Sequence, residues 1–153
     1  MTSACSMTNK IFINKSPDLD AYFDADFSPE RLIQFICETK RIHQSHIEIS
    51  FVSLAFITDL HETYFTTATP TDTITFTLGS DPGDPAEAVA GYQDLIIDGY
   101  ICPEYINQSA PTAFTQELNL VLTHSVLHGI GYTDTTPAAR AIMFAEQDRL
   151  LRA

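Results

Sequence analysis

The chain has 153 residues, 44% of them hydrophobic, and a formal net charge of −12 at neutral pH. That length and composition predict one globular domain with a sizeable core, and the longest apolar runs are too short to cross a bilayer. An acidic balance argues against tight, charge-driven, non-specific nucleic-acid binding by the isolated chain, which calls for a basic surface, while it favours recruitment of metal cations.

Residues 1–9 read as a loose tail, with no apolar stretch or basic leader of the secretory kind, and residues 10–153 as a single domain. The three cysteines, Cys5, Cys37 and Cys102, are odd in number and widely spaced, so the expectation is reduced thiols in a cytoplasm. Lys10–Asn14 predicts a short strand, ended by Ser16-Pro17-Asp18. Ser28 and Pro29 suit the N-cap and first position of a helix. The pairs Leu32/Ile36 and Ile33/Cys37 carry that helix to about His43.

Ile47 to Ile57 is rich in β-forming residues, but its alternation changes parity at Val52, which predicts a strand buried on both faces or bulged. Thr58 or Asp59 would then cap a short helix, with Asp59 and Glu62 as a capping box and His61 on its exposed side. Pro70 closes the following loop, and Thr73–Leu78 alternates cleanly as a strand with one polar and one apolar face. The acidic, Pro- and Gly-containing stretch 79–90 reads as a mobile loop, Asp94–Ile97 as a buried strand, and Pro103–Asn107 as a helix interrupted at Pro111.

The apolar segment Phe114–Ile130 follows, with His124 and His128 four residues apart. On a helix these two lie on one face, about one turn apart, and can grip one ion from the same side. Such a pair is more often coincidence than site, but here it sits among Leu118, Val121, Leu122, Val126, Leu127 and Ile130, where imidazoles need partners. Gly131 supplies a helix stop, and Asp134 arrives on the return turn. The pattern His-x3-His-x5-Asp offers three ligands with a position left open, as a catalytic zinc site requires. A structural ion would call for four. Glu117, on the same stripe, reads as a first-turn charge favoured by the helix dipole. His43 and His46 fall near a helix end without ligand spacing. Pro137 opens a last helix, Ala138–Arg152, with Ile142, Met143 and Leu150 facing inward. Strands and helices mixed without strict alternation predict an α+β fold.

His124, Leu127, His128, Gly131 and Tyr132 resemble the signature of the YbeY-type rRNA-maturation endoribonucleases, His-Gly-x-Leu-His-Leu-x-Gly-Tyr-Asp-His. Pro70–Phe76 resembles that family's Pro-Thr-Asp-Val-Leu-Ser-Phe, and Asp94–Ile97 its Asp-Ile-Val-Ile. The resemblance implies a mixed four-stranded sheet packed with helices, and a metal site on a central helix and its return loop. It implies a zinc-dependent endoribonuclease acting on single-stranded RNA in rRNA maturation and ribosome quality control, in the cytoplasm, with ribosomal proteins as partners and neither membrane nor DNA. His124, His128 and Asp134 would be the ligands and metal-bound water the attacking group, while Asp72 is either a side chain that stabilises the Pro-Thr turn or a catalytic residue facing the site.

Several positions depart from the signature. Ser125 stands for the usual Gly, Gly129 for Leu, Thr133 for Asp, Gln93 for Gly, and Asp134 for the third His. Carboxylate is an ordinary zinc ligand, and it shifts preference toward harder ions. Phe65 stands where the family has Arg, which removes a phosphate clamp. Two alternatives follow: a non-hydrolytic, metal-binding, ribosome-associated factor, and a metallopeptidase-like hydrolase. The peptidase ranks lower because Ser125 occupies the place of its general base.

Overall fold

Ser45, Ile47, Ile49 and Phe51 are buried and the residues between them are not. That period of two sets the inward face of the central strand. The computed structural model describes residues 9–65, 69, 71–78 and 95–152. Four strands, β1 (Asn9–Lys15), β2 (Ser45–Phe51), β3 (Thr73–Thr77) and β4 (Leu95–Ile101), form one sheet in the order β1-β2-β4-β3. The first three of that order run parallel, and β3 pairs antiparallel with β4. Five helices surround it: α1 (Pro29–Thr39), α2 (Leu54–Phe65), α3 (Pro103–Ser109), α4 (Phe114–Ile130) and α5 (Pro137–Arg152). The fold is the expected α+β arrangement with a mixed four-stranded sheet. Residues 1–8, Cys5 among them, Pro70, Gln93, Asp94 and the acidic loop lie outside the described residues, while Asn9, read as the end of the tail, opens β1 and pairs with Ser45.

The main core fills the space between one face of the sheet and helices α1 and α4. Ile33 and Ile36 from α1 meet Ile47 and Ile49 from β2, Ile97 from β4, and Leu122 and Val126 from α4. A smaller core of Ile57, Ile74 and Cys102 lies under α2. The two faces of β3 are both used. Ile74 packs in the α2 core, whereas Thr75 and Thr77 bond to α4: Thr75 Oγ1 lies 2.7 Å from Ser125 Oγ, and Thr77 Oγ1 donates to the Gly129 carbonyl at 2.9 Å. The polar face predicted for this strand is therefore a helix-docking face.

Small residues let α4 approach the sheet closely. A Cβ on Gly129 would lie 2.7 Å from Ile97 side-chain carbons, and one on Gly99 would meet Ile49 Cδ1 at 2.8 Å and Ser125 Oγ at 3.0 Å. Such distances are below van der Waals contact, so only glycine fits without displacement.

Several boundaries differ from the sequence reading. The parity change at Val52 is neither a bulge nor two-sided burial; it is where β2 ends and α2 begins. Ser53 Oγ accepts the Phe56 N–H at 3.1 Å, so Ser53 starts this helix, and Thr58 and Asp59 are interior. Their threonine and aspartate side chains misdirected the reading because the apolar run Leu54–Ile57 suits a strand as well as a helix. Helix α1 stops at Thr39. Arg41 takes a left-handed conformation (φ 59°), Ile42 N–H bonds to the Cys37 carbonyl at 2.8 Å, and Arg41 N–H bonds to that of Glu38 at 3.3 Å. This is a Schellman stop made with arginine rather than glycine. His46 accordingly lies in β2, stacked on Phe12, not at a helix end. Strand β4 runs four residues past Ile97 because Gly99 supplies room, not bulk, at its centre. On α5 the inward stripe is Met143, Gln147 and Leu150, while Ile142 is exposed. Cys37 and Cys102 are buried free thiols, and burial pushes Cys37 up to about 12.

Lys40, just past α1, ties three parts of the chain together. Its Nζ donates to Tyr132 Oη at 2.5 Å and to Glu146 Oε2 at 2.7 Å. Glu146 also accepts from Arg149 at 2.8 and 2.6 Å. The Arg149 fork, opposed by burial and aided by Lys40, holds the Glu146 carboxyl at about 2 against an ordinary 4.5. A depressed carboxyl contributes stability that is complete above its ordinary value and is lost as pH falls toward the folded value. With the Arg149 half well exposed, the contribution is on the order of 1–2 kcal/mol. We predict that unfolding free energy declines between pH 4.5 and 2, and that Glu146→Gln flattens this decline. Denaturant titrations across that range check it, and an unchanged slope in the variant would refute the assignment.

Candidate metal centre

Between Val121 and Ile130 every residue of α4 is buried except His124 and His128. Burial is thus continuous along this part of the helix, interrupted only at the two imidazoles. Their rings lie edge to face, centroids 4.5 Å apart. The helix ends at Gly131, whose φ of 129° favours glycine, with its N–H shared by the Leu127 and His128 carbonyls. Tyr132 N–H then bonds to the Leu127 carbonyl at 3.0 Å, which folds the chain back over the last turn. Asp134 lands opposite the histidines.

Each imidazole has one nitrogen committed to the protein. His124 Nδ1 bonds to Gln147 Oε1 from α5, and His128 Nδ1 bonds to the Tyr132 carbonyl at 3.0 Å. Both partners are acceptors, so both Nδ1 atoms carry the proton and both Nε2 atoms present a lone pair. Those Nε2 atoms lie 3.7 and 3.6 Å from Asp134 Oδ2. The separation is too long for a hydrogen bond. It is close to the ~3.4 Å expected between two donors that share one tetrahedral ion at zinc-like bond lengths. One ligand atom from each residue falls within 4.8 Å of the others. Burial, and next the His124 imidazole, pull His128 below its usual range against Asp134, which raises it. The neutral, ligand-competent form is therefore favoured. The donor set, its spacing and its orienting bonds fit a divalent ion.

The three groups open onto a cleft of about 500 Å³ that lies along β3, between α4 and α2. Asp72 lines it, but is not one of the three clustered groups; its carboxylate lies 3.5 Å from the Thr71 hydroxyl, and its carbonyl accepts from Cys102 N–H. Glu117 remains a first-turn residue, outside the cluster. Ser125 points into the sheet, bonded to Thr75, away from the cleft. His61 and Phe65, from α2, also line the cleft. The sequence reading put His61 on the exposed side of its helix, without ligand spacing to the pair; in the structure it lines the cleft together with Phe65, one turn further on. Gln147 was missed as well. Its signal was a polar residue in the apolar stripe Met143–Leu150. Two other hollows near Asp24 and Phe27 hold no imidazole.

The family model described as Endoribonuclease YbeY matches residues 18–153. Relatives from several bacteria carry that description, two of them as follows. The one from Beutenbergia cavernae is 30% identical over 137 residues, 84% of this chain and 86% of its own. The one from Mycolicibacterium smegmatis is 33% identical over 135 residues, 82% of this chain and 75% of its own. The solution structure of TM1509 from Thermotoga maritima aligns with a TM-score of 0.58 at 25% identity, covering 92% of this chain and 85% of that one.

Orienting partners of metal-binding histidines typically contribute 10–100-fold in affinity. Gln147→Leu keeps the volume and removes the acceptor for His124 Nδ1. We predict a loss of zinc affinity of about 10-fold or more, read by competition with a chromophoric chelator. Unchanged affinity would show that Gln147 is a packing residue only.

Proposed function

The chain belongs to the Endoribonuclease YbeY family, and on that premise we propose that it is a metal-dependent hydrolase cutting single-stranded RNA during ribosomal RNA maturation. The observation that carries this reading is the convergence of His124 Nε2, His128 Nε2 and an Asp134 oxygen with both histidine tautomers fixed. These three residues would hold one ion. Two imidazoles and one carboxylate suit Zn²⁺, and the carboxylate also admits a harder divalent metal. When bound, the ion supplies Lewis-acid polarisation of a phosphoryl oxygen and a lowered pKa for water.

The protein's own residues do the rest. Gln147 and the Tyr132 carbonyl keep the imidazoles from turning, so no reorganisation is needed as charge develops. Asp72, a carboxylate that lines the cleft outside the ligand set, is the residue to which this reading gives the proton from attacking water. A cleft of this size is that of a small-molecule pocket and takes a nucleotide or two of an unpaired strand. A peptidase-like mechanism gains nothing from Ser125, which is turned into the core.

We place the activity in the cytoplasm, with residues 10–153 acting as one domain. No helix of the described residues is long and apolar enough to cross a membrane. At net −12 the free protein gains little from phosphate attraction. Ribosomal proteins, which are basic, supply the complementary surface, and this extends the reading to ribosome quality control. One observation favours a second reading, a non-hydrolytic ribosome-associated metal protein: among the described residues, no Lys or Arg lines the cleft.

The test compares parent, His128→Ala, Asp134→Ala and Asp134→His on single-stranded rRNA fragments and on assembled particles with metal present. The parent is expected to cleave. The two alanine variants should lose at least about 100-fold in rate, the size of effect seen when charge stabilisation at a reacting centre is removed. Asp134→His should retain the metal. Identical cleavage by parent and His128→Ala, or none by the parent on either substrate, would leave the binding-factor reading in front.

A further inference from the structure

Helix α2 ends on Phe65, a residue 51% exposed that lines the same cleft as the histidine pair. One turn earlier His61 lies against it, centroids 4.7 Å apart and planes 31° apart. Both rings belong to the same cleft as His124, His128 and Asp134. A large apolar ring kept at the mouth of a catalytic cleft has a cost in water and calls for a ligand with a flat, uncharged face.

The electrostatics narrow the choice. No Lys or Arg lines the cleft among the described residues, Asp72 and Asp134 do, and the chain carries −12 overall. Phosphate charge is therefore not what draws a strand to this wall. The other surface that unpaired RNA offers is the π-face of its bases, which stack on aromatic side chains independently of sequence. A duplex hides those faces, so a stacking wall also selects single strands.

We propose that Phe65, backed by His61, is a base-stacking platform: an unpaired base beside the scissile phosphodiester lies on the Phe65 ring and so positions that phosphate over His124, His128 and Asp134. This rests on the endoribonuclease reading, and it assigns Phe65 as a substrate-positioning residue rather than a catalytic one.

The test uses full-chain protein and short unpaired oligoribonucleotides bearing 2-aminopurine, or an abasic residue, at each position in turn. Binding is read by fluorescence quenching and by anisotropy, with and without zinc. Phe65→Ala and Phe65→Leu should weaken binding by about 10-fold and abolish the quench, while Phe65→Trp should retain both. In the parent, one abasic position should cost the same factor, and that position should cost nothing further in Phe65→Ala. The ratio should persist at high salt, since no phosphate contact is lost. In cleavage, KM should rise with little change in kcat. Equal binding by parent and Phe65→Ala, full retention by Phe65→Leu, or absence of any quench in the parent would overturn the platform. If the parent quenches and binds as expected but does not cleave, the hydrolase reading fails and the platform stands. Cleavage with an unaltered KM in Phe65→Ala fails the platform alone.

Discussion

The site depends on how closely α4 can lie against the sheet. Ser125 and Gly129 form a stripe of small side chains one position along from His124 and His128. That stripe meets Gly99, Ile97, Thr75 and Thr77 at distances that leave no room for a larger residue. Rotation of the helix about its axis is thereby blocked, and the azimuth of the imidazoles is fixed by packing on the opposite side. A close-packed interior transmits such a constraint because it cannot deform gradually. The resembling signature carries Leu where Gly129 stands; in this chain Ile97 fills the space beside that glycine.

The carboxylate is placed by a different device. Asp134 is only partly buried and stands four residues beyond the last residue of α4, so its position depends on the return loop. Tyr132 is held at both ends: its carbonyl accepts from His128 and its hydroxyl from Lys40. The Asp134 carbonyl accepts from Arg140 Nη2 at 3.3 Å. Helix α5 then contributes consecutive residues to the two halves of the arrangement, Glu146 to the Lys40 clamp and Gln147 to His124. Lysine and glutamate in that clamp are each mostly shielded from water, where their attraction is screened less than on the open surface.

Local signals carried much of this into the sequence. The histidine spacing, the glycine stop and the carboxylate after it lie within eleven residues, and helix geometry alone brings them together. The mixed sheet followed from the resemblance and from strands that alternate in burial. What stayed hidden was non-local. Nothing near Lys40 points to Tyr132 or Glu146, which are far along the chain. The join of β2 to α2 was obscured because Leu54–Ile57 is apolar without a period long enough to read. The cleft lining by His61 and Phe65 stayed hidden for another reason: it depends on where α2 sits against β3, which is non-local. Strand β4 was cut short at Ile97 because Asp98 and Gly99 interrupt its apolar run, yet Gly99 is there to admit neighbouring side chains.

The dependence of His124 on Gln147 also orders events during synthesis. A ribosome-attached chain that has emerged only as far as Asp134 already presents both imidazoles and the carboxylate. It lacks the acceptor that selects the His124 tautomer, and it lacks Glu146 to hold Lys40 against Tyr132. Its histidine helix also lacks the Met143 side of its packing. The ligand group is therefore fully oriented only once α5 has docked on α4, and the residues that orient it lie downstream of those that would bind.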